Sequence, residues 1–291
     1  MRVDLHLHTN ASDGLQSPSE LVALLLRKGV THCAVTDHDT MNGVTQALEA
    51  ARAAGIVLWP GVELSTEDHK AEVHVLGYFR AVPDALIQRL EMLRQMRIER
   101  LERMIEALIC AGVSIEMGDV HCEEGAAPGR MHVARALIAR GYALSINEAF
   151  RRFLLPGRPG YVEREKLNPA QAIALIHEHG GLSVLAHPGI IHTGTQLLPV
   201  RMGGYVEAGL MGIEACHPRH TPTQRGMLRR FAQDRHLLVT GGSDYHGTPG
   251  ANTPGDKAIG WTTAEKDYAR FEAWLTGEGL KNAEAAPSER P

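Results

Sequence analysis

The sequence predicts an α/β fold, a mostly parallel sheet or barrel interrupted by a helical insertion. Three observations carry that reading. Short apolar segments recur at residues 2–5, 33–35, 56–59, 73–76, 182–185, 212–215 and 237–239, each followed by polar residues. Helical patterns separate many of them, the alternation expected of parallel strands joined by crossovers. Nearly every strand-like segment also delivers a His, Asp or Glu near its C-terminal end, the end at which barrel enzymes build their sites.

Each element has a local reason. Ser17-Pro18-Ser19-Glu20 reads as a helix start with proline in the first turn, running into LVALLLRKG. Helices over 43–54 and 169–178 are closed by Gly55 and Gly180. Residues 83–111 read as one long helix rich in Arg, Glu, Met and Leu, followed by helical stretches at 131–140 and 146–153. No strand signal stands between 80 and 160. The expected organisation is therefore 1–80 as the first part of the core, 81–165 as a helical insertion serving as a substrate cap, 166–280 as the second part of the core, and 281–291 as a disordered tail. GGSD (241–244) and Gly180-Gly181 read as turns rather than as a phosphate-cradling loop.

Composition narrows the function. A net charge of −4 argues against a protein that coats long duplex nucleic acid. The four cysteines, Cys33, Cys110, Cys122 and Cys216, form no CxxC pair and read as reduced thiols of a cytoplasmic protein. Asp4 and His6 interrupt any signal-peptide pattern, and the apolar run 21–26 is too short to span a bilayer. A monomer or small homo-oligomer is expected.

The chain has 16 histidines, so position must decide which of them carry chemistry. His6 and His8 stand at i and i+2, on one side of an extended strand. Asp244 and His246 repeat that spacing after the last apolar segment. Asp13, His38, Glu63, His74, His187 and His217 follow or end other segments. Any one of these alone is more commonly a hydrogen-bonded structural residue. Six separate strand ends carrying ligand-type side chains point instead to a shared metal site. Asp37 and Asp39 are candidates as ligands themselves, but are expected rather to orient imidazoles. His32, His69, His121, His177, His179, His220 and His236 are expected to be exposed or capping, with His132 and His192 as candidates to face a substrate.

At DLHLHTNASDG, TDHD, GVELS, EVHVLGY, LAHPG and GSDYHG the sequence resembles the PHP family (polymerase and histidinol phosphatase domains). The resemblance runs from residue 1 to about 250, outside the insertion and tail. It implies a distorted (β/α)7 barrel with two or three divalent metals. Carried over by motif, it implies one site from His6, His8, Glu63 and Asp244, a second from Glu63, His74 and His187, and a third from Asp13, His38 and His246. Asp13 stands where many members carry histidine, a departure that bears on the third metal's affinity or identity. Mixed N/O ligation suits Mn, with Fe or Zn as alternatives, over Mg or Ca.

Within the family the chain looks most like the branch acting on nucleotide phosphates, namely 3′,5′-bisphosphonucleotides, AMP or short 5′-phosphorylated oligonucleotides. The implied chemistry is phosphate monoester hydrolysis by a metal-activated hydroxide. Three divalent cations against three carboxylates and a hydroxide leave about +2, which favours a phosphate dianion. His217 is the expected acid or phosphate contact, and Asp244 an alternative proton carrier. Arg130 and Arg158 each follow a glycine, in PGRMH and PGRPG, and are expected to bind phosphate bidentately. Tyr161 is a candidate to stack on a base. Rival readings are a phosphodiesterase or phosphatase acting on a sugar cyclic phosphate, a histidinol-phosphate phosphatase, and a non-catalytic metal-binding regulator.

Overall fold

The computed structural model describes residues 1–69, 71–163, 166–190, 198–247, 254 and 264–277. His192 and the 281–291 tail lie outside the described residues. Seven strands form one sheet in chain order: β1 (Val3–Asp4), β2 (His32–Val35), β3 (Val57–Asp68), β4 (Ala71–Tyr78), β5 (Leu182–Leu185), β6 (Gly212–Cys216) and β7 (Leu238–Gly241). The sheet curls back on itself. Leu5 N–H donates to the Gly241 carbonyl (3.2 Å), Asp244 N–H donates to the His6 carbonyl (3.0 Å), and Leu7 bridges Tyr245. A seven-stranded, nearly closed barrel results.

Helices α1 (Pro18–Arg27) and α2 (Val44–Ala54) connect the first three strands, and α6 (Pro169–Glu178), α7 (Leu198–Glu207) and α8 (Pro222–Asp234) flank the last three. The local signals act where expected. The Ser17 hydroxyl accepts from Glu20 N–H while the Glu20 carboxylate takes Ser17 N–H, a reciprocal cap. Gly55 closes α2 in the left-handed region at φ 69°.

The parallel pattern is broken at one place. β4 runs antiparallel to both neighbours, β3 and β5, whereas β1–β2, β2–β3, β5–β6 and β6–β7 are parallel. This reversal follows from the short β3–β4 link, since two or three residues can join only antiparallel strands. It distorts the barrel and brings both long strands to the same mouth.

Between β4 and β5 lie α3 (Asp84–Cys110), α4 (Arg130–Ala139), α5 (Ile146–Ala149) and a π-helical turn, Phe150–Leu154. Their apolar faces make a hydrophobic cluster of their own, built from Leu101, Met104 and Leu108 of α3, Val133 and Leu137 of α4, and Phe153. The N-terminal half of α3 instead contributes Leu86 and Leu90 to the barrel's cluster. One 27-residue helix, about 40 Å long, thus ties the two together. A further helix, α9 (Ala264–Thr276), packs Tyr268, Phe271 and Leu275 on Leu5, Leu76 and Tyr78.

Candidate metal centre

The centre forms around Glu63. This residue lies in the middle of β3, fully buried, and its two oxygens face five imidazoles. Oε2 is 3.2 Å from His6 Nε2, His8 Nε2 and His38 Nδ1. Oε1 is 2.8 Å from His74 Nδ1 and 3.0 Å from His187 Nε2. His6 and His8 follow β1 at i and i+2 and point the same way. His74 reaches the same mouth because β4 is reversed. Asp244 Oδ1 stands 3.5 Å from His6 Nε2 and 3.4 Å from His8 Nε2, and His246 Nε2 is 3.2 Å from Asp13 Oδ1.

The nine residues predicted as ligands therefore meet in one place. Three groups have donor atoms all within 4.8 Å of one another: His6, His8, Glu63 and Asp244; His8, Asp13, His38 and His246; and His38, Glu63 and His74. The first matches the grouping expected from the motifs. In the others, His8 joins the Asp13 group, and His38 stands with Glu63 and His74 in the place expected for His187, which reaches Glu63 Oε1 but belongs to none of the three groups.

Whether these residues fit divalent cations is tested by their unmet hydrogen bonds. His6 Nε2, both nitrogens of His8, Asp13 Oδ1, His38 Nδ1 and Glu63 Oε2 are buried without a partner. Buried polar atoms are rarely left so, and a run of donor atoms converging on one point is what a cation-binding site presents. The donor set, imidazole nitrogen plus carboxylate oxygen, is that of a transition-metal site. The residues fit.

Electrostatics agree. Burial alone would lower the His246 imidazole, but the Asp13 and Asp244 carboxylates reverse this and lift it to about 10. His74 is likewise desolvated, yet Glu63 and Glu72 raise it to about 9. At His38 burial prevails and the ring falls to about 3. Burial opposes ionisation of Glu63, but His38, His6 and His74 keep its carboxyl well below the usual range. The acids are thus held in the charged form by the imidazoles around them.

Residues not anticipated from sequence hold this arrangement. Glu214 is buried on β6 and accepts His6 Nδ1–H at 3.1 Å and His187 N–H at 2.8 Å, leaving His6 Nε2 as a lone pair toward Glu63. An acid inside the apolar GIEAC strand was the available signal. Asp37 accepts from Thr9 N–H, Thr9 Oγ and Ser12 Oγ, and Asp39 accepts from Ser65 N–H and from Arg97 Nε. These bonds order loops and the approach of α3, where orientation of imidazoles was expected. Asp39 (φ 52°), His187 (φ 27°) and Asp244 (φ 53°) adopt left-handed backbone, strain concentrated at the site.

Other expectations are corrected. His220 is buried, not exposed. Its Nδ1–H donates to the Ala215 carbonyl while Nε2 accepts Gly189 N–H, bridging the loops after β6 and β5. GGSD is not a free turn: Gly241 ends β7, and a Cβ at Gly242 would lie 2.3 Å from His6 Cβ. Glycine there permits the closure of β7 on β1. His132 is buried and caps α4, with Nδ1 accepting Gly129 N–H, and it lines a cavity beside the Asp13 loop rather than the cleft at the metal centre.

Of the substrate candidates, His217 is fully buried with Nε2 3.5 Å from Asp244 Oδ2. Its Nδ1 accepts Arg219 N–H, so the neutral ring carries its proton on Nε2, toward the centre. Arg130 opens α4, lines the cleft beside His38 and His74, and pairs with Glu72. Arg158 sits exposed in the turn after Gly157 and is not among the residues lining that cleft. Tyr161 lies against the Arg100 guanidinium, 6.0 Å from ring centre.

Comparison with known proteins places the chain in a family. Residues 4–96 match the PHP domain family. The chain is 32% identical to a 3′,5′-nucleoside bisphosphate phosphatase of Chromobacterium violaceum over 89% of this chain and 91% of that protein. It is 33% identical to the 5′-3′ exoribonuclease Rnm of Escherichia coli over 84% of each. Among solved structures, an amidohydrolase of Chromobacterium violaceum with bound sulfate and no metal superposes with a TM-score of 0.81 at 30% identity, covering 87% of this chain and 90% of that one.

Proposed function

The chain belongs to the PHP domain family, and from that premise we propose that it is a metal-dependent phosphoesterase that hydrolyses phosphate monoesters of nucleotides. The observation that carries this reading is the convergence of five imidazoles on the buried Glu63, with partnerless donor atoms facing one another. His6, His8, Glu63 and Asp244 would hold one ion, Glu63 with His74 and His187 or His38 a second, and Asp13, His38 and His246 with His8 a third. Manganese is the first ion to test, with iron and zinc after it. Divalent ions bound there supply Lewis-acid charge to phosphoryl oxygens and lower the pKa of water.

The chain's own residues do the rest. The ligand set contains only three carboxylates, so it leaves positive charge in excess for a phosphate dianion. His217 presents an N–H at Nε2 that hydrogen-bonds the phosphate; to act as the acid toward the departing ester oxygen it would first have to take a second proton at Nδ1 and give up the bond from Arg219 N–H, with Asp244 beside it as an alternative proton carrier. Arg130 offers a guanidinium at the mouth for phosphate; Arg158, expected to do the same, lies exposed outside that cleft and is given no role in it. The helices of 81–165 act as the substrate cap. The four free cysteines fit a reducing, cytoplasmic setting, and among the described residues no helix is long and apolar enough to cross a membrane.

A second reading, trimming of short 5′-phosphorylated oligonucleotides, is favoured by a cavity of ≈ 570 Å³ beside the Asp13 loop, lined by Asn10, Leu15, His132 and Arg135. It has room for a further nucleoside. The test is phosphate release, with manganese supplied, from 3′,5′-bisphosphoadenosine, AMP, a cyclic sugar phosphate, histidinol phosphate and short 5′-phosphorylated RNA. Nucleotide substrates are expected to lead. Turnover of histidinol phosphate or the cyclic sugar alone would overturn the proposal.

A further inference from the structure

Arg97, Arg100, Arg130 and Lys166 line a cleft of ≈ 140 Å³ together with His38 and His74. Two of these cations are held by a single carboxylate. Glu72 Oε1 accepts from Lys166 Nζ at 2.8 Å, and Oε2 accepts from Arg130 Nη2. Glu72 belongs to β4 two residues before His74, so the two side chains share a strand face, and its Oε1 also lies 3.6 Å from His74 Nε2. Arg130 starts α4 on one side of the cleft, and its guanidinium also lies 5.6 Å from the Phe150 ring centre. Lys166 comes from the segment returning to the barrel, and its side chain is only 8% exposed. The three charged groups come from three separate stretches of chain and meet at one edge of the metal centre.

We infer that Glu72 is a positioning residue that holds Arg130 and Lys166 side by side as a preformed fork, and that Lys166 joins Arg130 in seating a phosphate of the substrate other than the one being hydrolysed. This rests on the proposed phosphoesterase activity. The physical argument is one of charge. Two cations brought to one small cleft repel each other, and long cationic side chains lose much rotamer entropy when fixed. A carboxylate between them offsets both costs. Because it cancels only one of the two charges, the fork keeps a net positive charge for an anion. A phosphate suits the cleft: it is small, and both a guanidinium and an ammonium can bond its oxygens at once.

The test compares 3′,5′-bisphosphoadenosine with a small aryl phosphate that has no second phosphate, in the manganese-loaded full-length protein. With metal content matched to the wild type, since Glu72 also borders the ligand His74, Glu72→Ala is expected to raise KM for the bisphosphate about tenfold or more, to lower kcat for both substrates alike, and to raise the KM ratio of the two substrates accordingly. Glu72→Asp, which keeps the charge, should recover part of the loss, and Glu72→Gln should recover less. In an Arg130→Ala/Lys166→Ala background, Glu72→Ala should add less than about twofold, since a positioning residue has nothing left to position. An equal rise in KM in both backgrounds, a lowered KM, or a rise in KM shared equally by the aryl phosphate would overturn the inference. Should Glu72→Ala fail to fold, the Asp and Gln variants carry the same comparison. A wild-type protein that releases phosphate from none of the nucleotides would instead sink the proposed function itself.

Discussion

Glu63 shows how much of this protein rests on single side chains. A carboxylate that faces five imidazoles in a water-poor pocket has its charge set by them and sets theirs in return. Glu63→Gln keeps the shape and removes the charge. It is expected to lose metal and to lower kcat/KM on the order of 10³-fold, because Lewis-acid stabilisation is worth several kcal/mol; metal analysis beside kinetics checks it, and a variant retaining both would refute the assignment. Glu214 acts at one remove. Its bond to His6 Nδ1–H selects the tautomer that leaves Nε2 free, so Glu214→Gln should weaken metal affinity by roughly 10–100-fold while leaving the fold intact. Chelator competition reads this directly. These two residues also mark what a sequence can show. Glu63 is legible because it follows an apolar segment in a set of ligand-type residues at strand ends. Glu214 is not, since a buried acid inside GIEAC has no spacing partner and its purpose lies 208 positions away, at His6. Arg97 is hidden differently, as one arginine among the many charged residues of α3, distinguished by the Asp39, Ser65 and Pro128 oxygens it meets.

At the scale of elements, the alternation of strands and helices is legible because each strand's apolar run and each helix's caps are local. The direction of β4 is not: period-2 burial reads the same both ways, and only the short link after Asp68 forces the reversal. Without it His74 would point to the far end of the barrel. The closure of β7 on β1 is equally non-local, and it turns on Gly242. The side chain of any other residue there would collide with the His6 backbone and Cβ, the nearest atom at 2.3 Å. Gly242→Ala is therefore expected to cost about 1–3 kcal/mol of stability through overpacking and to reduce activity further than stability, since the strand it displaces carries His6 and His8. Thermal unfolding and kcat/KM of the metal-loaded variant test this. A variant with wild-type activity would show that the barrel seam yields without moving its ligands.

For the molecule as a whole, the site is a store of unfavourable burial that cations relieve, so stability should depend on metal and pH together. In chelated protein His74 is raised to about 9 and His246 to about 10, well above an unfolded imidazole near 6.5. The folded state therefore binds these protons more tightly than the unfolded state. Their stabilisation is complete below pH of about 6.5 and is lost as pH rises toward 9–10, each proton contributing a slope of up to about 1.4 kcal/mol per pH unit. The carboxylates of Asp13, Glu63 and Asp244 are held low, so their contribution is present above about pH 4 and lost in acid. His6 and His8 are raised as well and act in the same direction as His74 and His246, whereas His38, at about 3, opposes them and erodes stability as pH falls below 6.5. Chelated protein should thus be most stable near neutrality and weaken on the alkaline side. In manganese-loaded protein the same imidazoles serve as unprotonated ligands and the cations replace their protons as partners for Glu63, Asp13 and Asp244. Loading should raise the unfolding midpoint, by mass action on a site present only in the folded chain, and should abolish the alkaline decline between pH 7 and 9. Scanning calorimetry of chelated and loaded protein across that range decides the matter. Parallel alkaline declines in both forms would mean that His74 and His246 do not exchange protons for metal, and the shared centre on which the chemistry depends would have to be abandoned.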